Sequence, residues 1–512
     1  MVETRGVGQA RRRAYWGVAP ASVAAALLLS PALFAGFFGD DFKLWHVARQ
    51  MIEAPSTLFI GSGNFYRPAN SWLFAVHHLL FGAEPLGYHV GTFLMHLGCG
   101  ALLGLLAGRF VASPWAVFAV SAAWMCSPFA FEPVQFVNVA YNDLTVLLVW
   151  LALAVTWPGP GQGWSRGRAA VHVALVAFSA MCKESWVILP GLVLCFELGL
   201  ARAPWRRAWR TTMLAAAPAL AYVLVYPFVF PGRESYYELG TWGAARVPHL
   251  WACFSMLTEL QPYKPVWGAA EWIGLALLAG FTALGFKRRS RLIGLGMGLF
   301  VCSVAPVLFI PYLPTRYTTV PLVGFLLVAC GVFAELVRAA PPSRRTAALA
   351  GVVLAFAAYF GAGVLWLLGD LEDMQRLREP YAALLGEVET FAGQIPVDRP
   401  VVCVRLEAVN PLHRLHGEGS LGTPKLYFQR SVTPYGLADW AQLFTFARAG
   451  RGDEVLVDLA PADVAAGDYA VVAHVSGGFR VLEPRAASAL DEIERWRQSG
   501  HVARVIGLRP PA

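Results

Sequence analysis

Charge is what this sequence has least of. Asp, Glu, Lys and Arg make up 14% of the 512 residues, against about 25% in an average soluble domain. Hydrophobic residues make up 57%. That balance excludes a disordered chain, a soluble repeat array and an ordinary cytosolic enzyme, and it points to a polytopic membrane protein. Lysine is scarcer still, with 5 of the 41 basic residues against 36 Arg. Together with abundant Ala and Gly, this fits a bacterium with GC-rich coding. Cysteine motifs are missing as well. The eight Cys lie mostly inside apolar runs, with no CxxC and no Cys/His spacing, so neither a disulfide framework nor a zinc site is supported. No basic–aromatic recognition motif is present, and no nucleic-acid partner is expected.

What the chain does have is long apolar runs. The first follows Arg11-Arg12-Arg13 and extends from Ala14 to about Phe38. It is too long for the core of a signal peptide and lacks a small-residue cleavage site, so it reads as an uncleaved first helix. Further runs lie at about 86–108, 112–127, 141–157, 169–182, 186–200, 211–231, 266–286, 292–311, 318–337 and 346–368. The result is a polytopic α-helical membrane domain over residues 1–368 with about 11 spans. The pair 169–182 and 186–200 is short and also reads as one broken helix, so charge must arbitrate. With the N-terminus inside, the inner segments hold 18 basic residues and the short outer loops hold 8. The excess of Lys and Arg on one face supports a cytoplasmic N-terminus and an odd number of spans in a cell (inner) membrane. The net charge of +8 is then mostly topology.

Composition changes at Gly369. Residues 369–512 hold 15 basic and 19 acidic residues. Val401–Leu406, Lys425–Gln429, Glu454–Leu459, Tyr469–Val475 and Phe479–Leu482 read as strands. Glu372–Phe391 and Ala486–Gln498 read as helices. This predicts a small extracytoplasmic α/β domain, periplasmic or extracellular by the topology.

Only 14 acidic residues remain for the first 368 positions, most of them in outer segments or near the outer ends of spans. Asp40 and Asp41 follow the first span directly. Adjacent carboxylates at an apolar boundary repel each other and resist desolvation, which raises one pKa and suits a general base toward a hydroxyl. The rival reading is an interfacial stop for the helix. Arg67, in Asn64-Phe65-Tyr66-Arg67-Pro68, offers a planar fork of donors for phosphate oxygens, or it is an interfacial Arg with its stem in lipid. Glu132 and Asp143 flank an outer turn, Lys183 and Glu184 share a very short one, and Arg316 and Tyr317 lie between two late runs. Lys183 and Glu184 read either as site residues or as neighbours that neutralise each other. His89 and His96 are seven apart and share a helix face, which favours hydrogen bonding in the bundle over a metal pair. Collectively the ionisable groups map to one membrane face and leave the spans nearly charge-free. That suits an anionic, lipid-linked substrate and a hydroxyl acceptor better than a transporter, which tends to place such groups at mid-span.

At these residues the chain resembles a family. Gly39-Asp40-Asp41-Phe42, Tyr66-Arg67-Pro68, Gly87-Tyr88-His89 with His96, Ser127-Pro128 with Glu132-Pro133-Val134, Cys182-Lys183-Glu184-Ser185, and Arg316-Tyr317 occur in the order seen in the transmembrane and tetratricopeptide O-mannosyltransferases and their bacterial relatives. The likeness covers roughly residues 15–335. It implies the GT-C glycosyltransferase fold, shared with protein O-mannosyltransferases and lipid A aminoarabinose transferases, and transfer of a sugar from a polyprenyl phosphate on the outer face. It also implies Asp41 and Asp40 as the catalytic acid pair, and Arg67, Lys183 and Arg316 as donor-phosphate ligands. Glu132, Asp143, Glu184, Tyr66, Tyr317 and His96 would support the substrate site. The chain departs from the family in having no tetratricopeptide repeats, and in Asp-Asp where the protein O-mannosyltransferases have Asp-Glu.

The expected partners are a polyprenyl-phosphate-linked sugar, a hydroxyl acceptor on protein or glycolipid, and membrane lipid. Three cations can balance a monophosphate leaving group, so no cofactor is required; a divalent metal is compatible with such a site but not indicated. Two other classes stay open on sequence: a glycan ligase or polymerase using a polyprenyl pyrophosphate, and a transporter of lipid-linked glycans.

Overall fold

The computed structural model describes residues 2–37, 40–55, 67–82, 84–183, 188–229, 269–305, 318–392, 401–404, 453–457, 470–475, 478–482 and 505–509. Each of the eleven apolar runs carries a helix. In chain order the principal helices are α1 (Val2–Leu29), α2 (Asp40–Glu53), α3 (Pro68–Phe81), α4 (Pro85–Gly108) and α5 (Pro114–Met125). They continue with α6 (Glu132–Gln135), α7 (Val137–Thr156), α8 (Arg166–Ala180), α9 (Leu189–Ala201) and α10 (Trp205–Val229). The series closes with α11 (Ala269–Arg288), α12 (Arg291–Val304), α13 (Thr319–Ala339) and α14 (Arg345–Ala392).

Among the described residues, five segments are long and apolar enough to cross a membrane by length and composition: Ala14–Phe34, Pro85–Gly108, Val137–Thr156, Thr319–Ala339 and Pro342–Gly369. Helices α5, α9 and α12 are apolar but shorter. The 12 residues of α5 rise only about 18 Å, less than the roughly 30 Å hydrocarbon layer. The runs at 169–182 and 186–200 form two helices, α8 and α9. Helix α14 continues without a break past Gly369, so the change in composition there is not a change in backbone.

The described residues fall into two compact units. One comprises residues 1–34, 60–70 and 88–371, and the other residues 35–59, 71–87 and 372–512. In the first, burial sorts the helices. Val137–Thr156 is 72% buried and forms the centre, whereas Pro342–Gly369 is apolar yet only 6% buried. An apolar helix left uncovered by protein belongs against lipid. Close packing uses small residues, as is common where helices associate in a membrane. A Cβ on Gly296 would lie 2.6 Å from Gly324 O, and one on Gly324 would lie 2.5 Å from Phe300 N, so α12 and α13 meet backbone to backbone. Ala14 and Val18 of α1 pack on Val117 of α5. Where α7 ends, the Arg109 guanidinium donates to Ala154 O at 2.7 Å and Val155 O at 3.3 Å. It thereby supplies a donor to carbonyls of the last turn, of which Ala154 O also accepts the cap amide of Trp157 at 3.4 Å. Arg207 reaches the buried Glu197 at 3.5 Å.

In the second unit, Trp45 of α2 donates from Nε1 to Gly82 O at 3.3 Å and sets its ring edge-on to His78 at 5.1 Å. Gly82, at φ +59°, stops α3 in the left-handed conformation that a glycine reaches without strain. Its N–H bonds back to His78 O at 2.8 Å. The same unit holds a five-stranded sheet of β1 (Val401–Val404), β2 (Asp453–Val457), β3 (Ala470–Val475), β4 (Gly478–Leu482) and β5 (Val505–Arg509), in the order β2-β5-β1-β3-β4. β1 and β3 run parallel, with Val401 opposite Ala470; the other pairs are antiparallel. Four of the predicted strands coincide with β1 to β4 within one or two residues. β5 was not anticipated, because its Val505-Ile506-Gly507-Leu508-Arg509 carries a mid-strand glycine and no alternation. The expected strand Lys425–Gln429 and helix Ala486–Gln498 lie outside the described residues.

Candidate functional site

Helix α3 begins at Pro68, whose missing N–H costs nothing at a first helical position. Arg67 therefore sits at the helix entrance, half-buried. The next amide, Ala69 N–H, donates to Met181 O at 3.1 Å, one residue past the end of α8. An unpaired donor of one helix start thus meets an unpaired acceptor of one helix end. This bond brings the Arg67 segment beside the turn that carries Lys183.

The third segment is the start of α7. Ala140–Leu144 is a π-turn, a widened turn that often accompanies functional positions. It holds Asn142 and Asp143. The Asp143 carboxylate accepts from Lys183 Nζ, and both side chains are buried. Asp143, 40 residues away in sequence, is thus a partner of Lys183, while its sequence neighbour Glu184 lies outside the described residues. Beside this pair lies an amide network. Asn70 Nδ2 donates to Asn138 Oδ1 at 3.0 Å and to Asn142 Oδ1 at 2.9 Å. Asn142 Nδ2 donates to Asn138 O at 3.0 Å and to Asn138 Oδ1 at 2.8 Å. The network ties α3 to α7 next to the ion pair, so Arg67, Asp143 and Lys183 share one framework where α3 starts, α7 starts and α8 ends.

Of the other anticipated residues, Glu132 is buried and opens α6 after the Ser127-Pro128 turn. His96 is fully buried in α4; its ring stacks on Trp124 at 4.7 Å and its Nε2–H donates to Met125 O at 2.8 Å. Trp124 Nε1 in turn donates to Thr319 O at 3.4 Å, so His96 belongs to a chain of contacts joining α4, α5 and α13. Asp40 and Asp41 form the first turn of α2 in the other compact unit, and Asp41 is fully buried. Negative charge at a helix start is favoured by the helix dipole. Tyr66, Glu184, Arg316 and Tyr317 lie outside the described residues. Cys99, Cys126, Cys182, Cys195, Cys302 and Cys330 are not in disulfides. Among the described residues no group of three or more His, Cys, Asp or Glu is arranged to hold a metal ion.

Sequence reasoning missed Asn70, Asn138 and Asn142. A signal was present for two of them: Asn138 and Asn142 are four apart at the head of an apolar run and face one side of a helix.

No family model matches the chain. An alignment of 252 positions, covering 45% of this chain and 26% of the relative's length, is 25% identical to the protein O-mannosyl-transferase Tmtc2 of Drosophila melanogaster. The apo crystal structure of ArnT from Cupriavidus metallidurans superposes with a TM-score of 0.51 at 14% identity, covering 96% of this chain and 98% of that one. The structure of ArnT bound to undecaprenyl phosphate gives 0.49 at 15% identity over the same shares. The chain thus has the fold of ArnT, in keeping with the GT-C fold that the sequence resemblance implied, and it resembles an O-mannosyltransferase in part of its sequence.

Proposed function

We propose that this chain is a membrane glycosyltransferase that moves a sugar from a polyprenyl-phosphate donor to a hydroxyl of a protein or glycolipid, on the outer face of the membrane. The observation that carries this reading is the convergence of Arg67, Lys183 and Asp143, from three separate segments, on one framework at the ends of α3, α7 and α8. A phosphate needs fixed cations, and here both Arg67 and Lys183 are tied through the backbone or side chain of rigid helices. The ArnT fold and the partial likeness to Tmtc2 support the same chemistry.

In this mechanism the bond between the anomeric carbon and the donor phosphate oxygen breaks as the acceptor oxygen bonds to that carbon. The acceptor proton passes to Asp41, or to Asp40 if that carboxylate is the base. The departing phosphate gains negative charge, and Arg67, Lys183 and Arg316 stabilise it as preorganised cations. Asp143 holds the Lys183 ammonium in place. Cations suffice for a monophosphate leaving group, so the proposal calls for no metal.

Purified protein in lipid vesicles is offered two kinds of labelled donor, polyprenyl phosphate sugars and polyprenyl pyrophosphate glycans, each with and without acceptor. Consumption of the monophosphate donor with release of polyprenyl phosphate is the expected result. Consumption of the pyrophosphate donor alone would move the chain to the glycan ligases, and translocation with the linkage intact would make it a transporter.

A further inference from the structure

We propose that Asn70, Asn138 and Asn142 form a subsite that reads one hydroxyl of a neutral donor sugar, with Asn70 Oδ1 as the accepting atom. The assignment rests on the glycosyl-transfer reading above and adds the class of sugar.

Side-chain amides can be turned end for end, so the direction of each must be argued from fixed groups. Here one is available. The backbone carbonyl of Asn138 can only accept, so Asn142 must turn its NH₂ toward it. Asn142 Oδ1 is then left on the other side, facing Asn70. Asn70 must answer with Nδ2, which also donates to Asn138 Oδ1. Turning Asn70 round would set its oxygen against two other oxygens. The network therefore fixes Asn70 Oδ1 outside the set of bonds that hold the trio together. That oxygen is buried and has no hydrogen-bond partner among the described residues. A buried acceptor left unbonded is costly, and such a group calls for a donor.

Three features say which donor. Asn70 is three residues beyond Arg67, and its partner Asn142 adjoins Asp143, which holds Lys183. A donor sugar is bonded directly to its phosphate, so a phosphate held by these cations brings sugar hydroxyls to the amide trio. Asn138 is half-buried while Asn70 and Asn142 are buried, so the trio has one wetter member through which a ligand can approach. Finally, the trio is neutral. An amide oxygen accepts from a hydroxyl with no charge to offset, whereas a buried ammonium needs a counter-charge, and the adjacent Asp143 carboxylate is already bound by Lys183. A sugar with hydroxyls fits this subsite; a sugar with an amino group at the same position does not.

The test uses the full chain in lipid vesicles with polyprenyl phosphate mannose, glucose and galactose, the monodeoxy analogues of each, and polyprenyl phosphate 4-amino-arabinose. Release of polyprenyl phosphate is followed. The expected result is that a neutral donor is used ahead of the amino sugar, and that removal of one particular hydroxyl lowers kcat/KM by about 10- to 100-fold in the parent. Asn70→Ala should lower kcat/KM for the intact donor by a similar factor and should no longer distinguish it from that deoxy analogue. If Asn70→Ala instead slows every donor equally and keeps the parent's discrimination, Asn70 only shapes the bundle or holds a buried water, and the subsite is wrong. If Asn70→Ala does not accumulate, the deoxy series on the parent decides, and the absence of any hydroxyl worth about 10-fold overturns the assignment. Preference for the amino sugar overturns it too. No turnover of any donor by the parent would overturn the glycosyl-transfer reading, and this inference with it.

Discussion

Removing one member of the Asp143–Lys183 pair should unfold the chain more readily than removing both. The side chains are 10% and 5% exposed respectively, and the bond between them joins the head of α7 to the turn after α8. An exposed ion pair would contribute about 0–1 kcal/mol. Burial changes the arithmetic, because taking away one partner strands the other charge in a poorly solvated place, at a cost of about 3–5 kcal/mol. Replacing both by apolar side chains of similar volume removes the stranded charge, and such replacements are often neutral or stabilising. We therefore expect Asp143→Asn and Lys183→Met each to lower the melting temperature in detergent by of order 5–10 °C, taking about 2–4 °C per kcal/mol in smaller chains as an upper guide. The double variant Asp143→Leu/Lys183→Met should recover most of that loss while remaining inactive, since the proposed phosphate site would lose its lysine. The assay is thermal unfolding followed by intrinsic fluorescence, with the four proteins in the same detergent. If the single variants melt within about 1–2 °C of the parent, or the double variant is worse than their sum, the pair is solvated and the reasoning from burial fails.

Other outcomes follow from the same structure. Asp41→Asn should reduce transfer by about 10²–10⁴-fold if Asp41 is the base, with a distinctly smaller loss for Asp40→Asn; equal and normal rates for both would leave the acid pair a structural start to α2. Gly324→Ala places a Cβ 2.5 Å from Phe300 N and should cost about 1–3 kcal/mol, whereas Gly351→Ala, with nothing within 4 Å, should be neutral or slightly stabilising; comparison of their melting curves checks the contrast. Reporter fusions at Pro341 and Ala512 should report opposite sides of the membrane, and the same side for both would contradict the odd span number. Arg67→Lys keeps the charge but loses the planar fork, so donor KM should rise; an unchanged KM would remove Arg67 from the proposed phosphate site.

The sequence determined the helices because the signal it carries there is an absence. A run such as Thr319–Ala339 contains two charged residues, both near its end, and no packing arrangement is needed to make that segment helical and apolar. The same holds for the basic clusters Arg11–Arg13 and Lys287–Arg291, which argue orientation without tertiary contacts. The strands β1 to β4 were legible from local β-branched runs, while β5 was not, because Gly507 breaks its pattern. The candidate site was legible only as a set of ionisable residues on one predicted face.

Their partnerships were decided by the tertiary structure. Lys183 bonds to Asp143, 40 positions away in sequence, because the end of α8 is held against the starts of α3 and α7 by Ala69 N–H and by the asparagine network. His96 shares a helix face with His89, yet only the fold shows its ring stacked on Trp124 and bound to Met125 O. The widened turn at Ala140–Leu144 has no marker in its residues, since a π-turn arises from how the helix accommodates its neighbours rather than from side-chain propensity. Apolarity is a property of each residue and can be read one position at a time; a hydrogen bond between Asn70 and Asn142 exists only once positions 72 apart in sequence have been folded together.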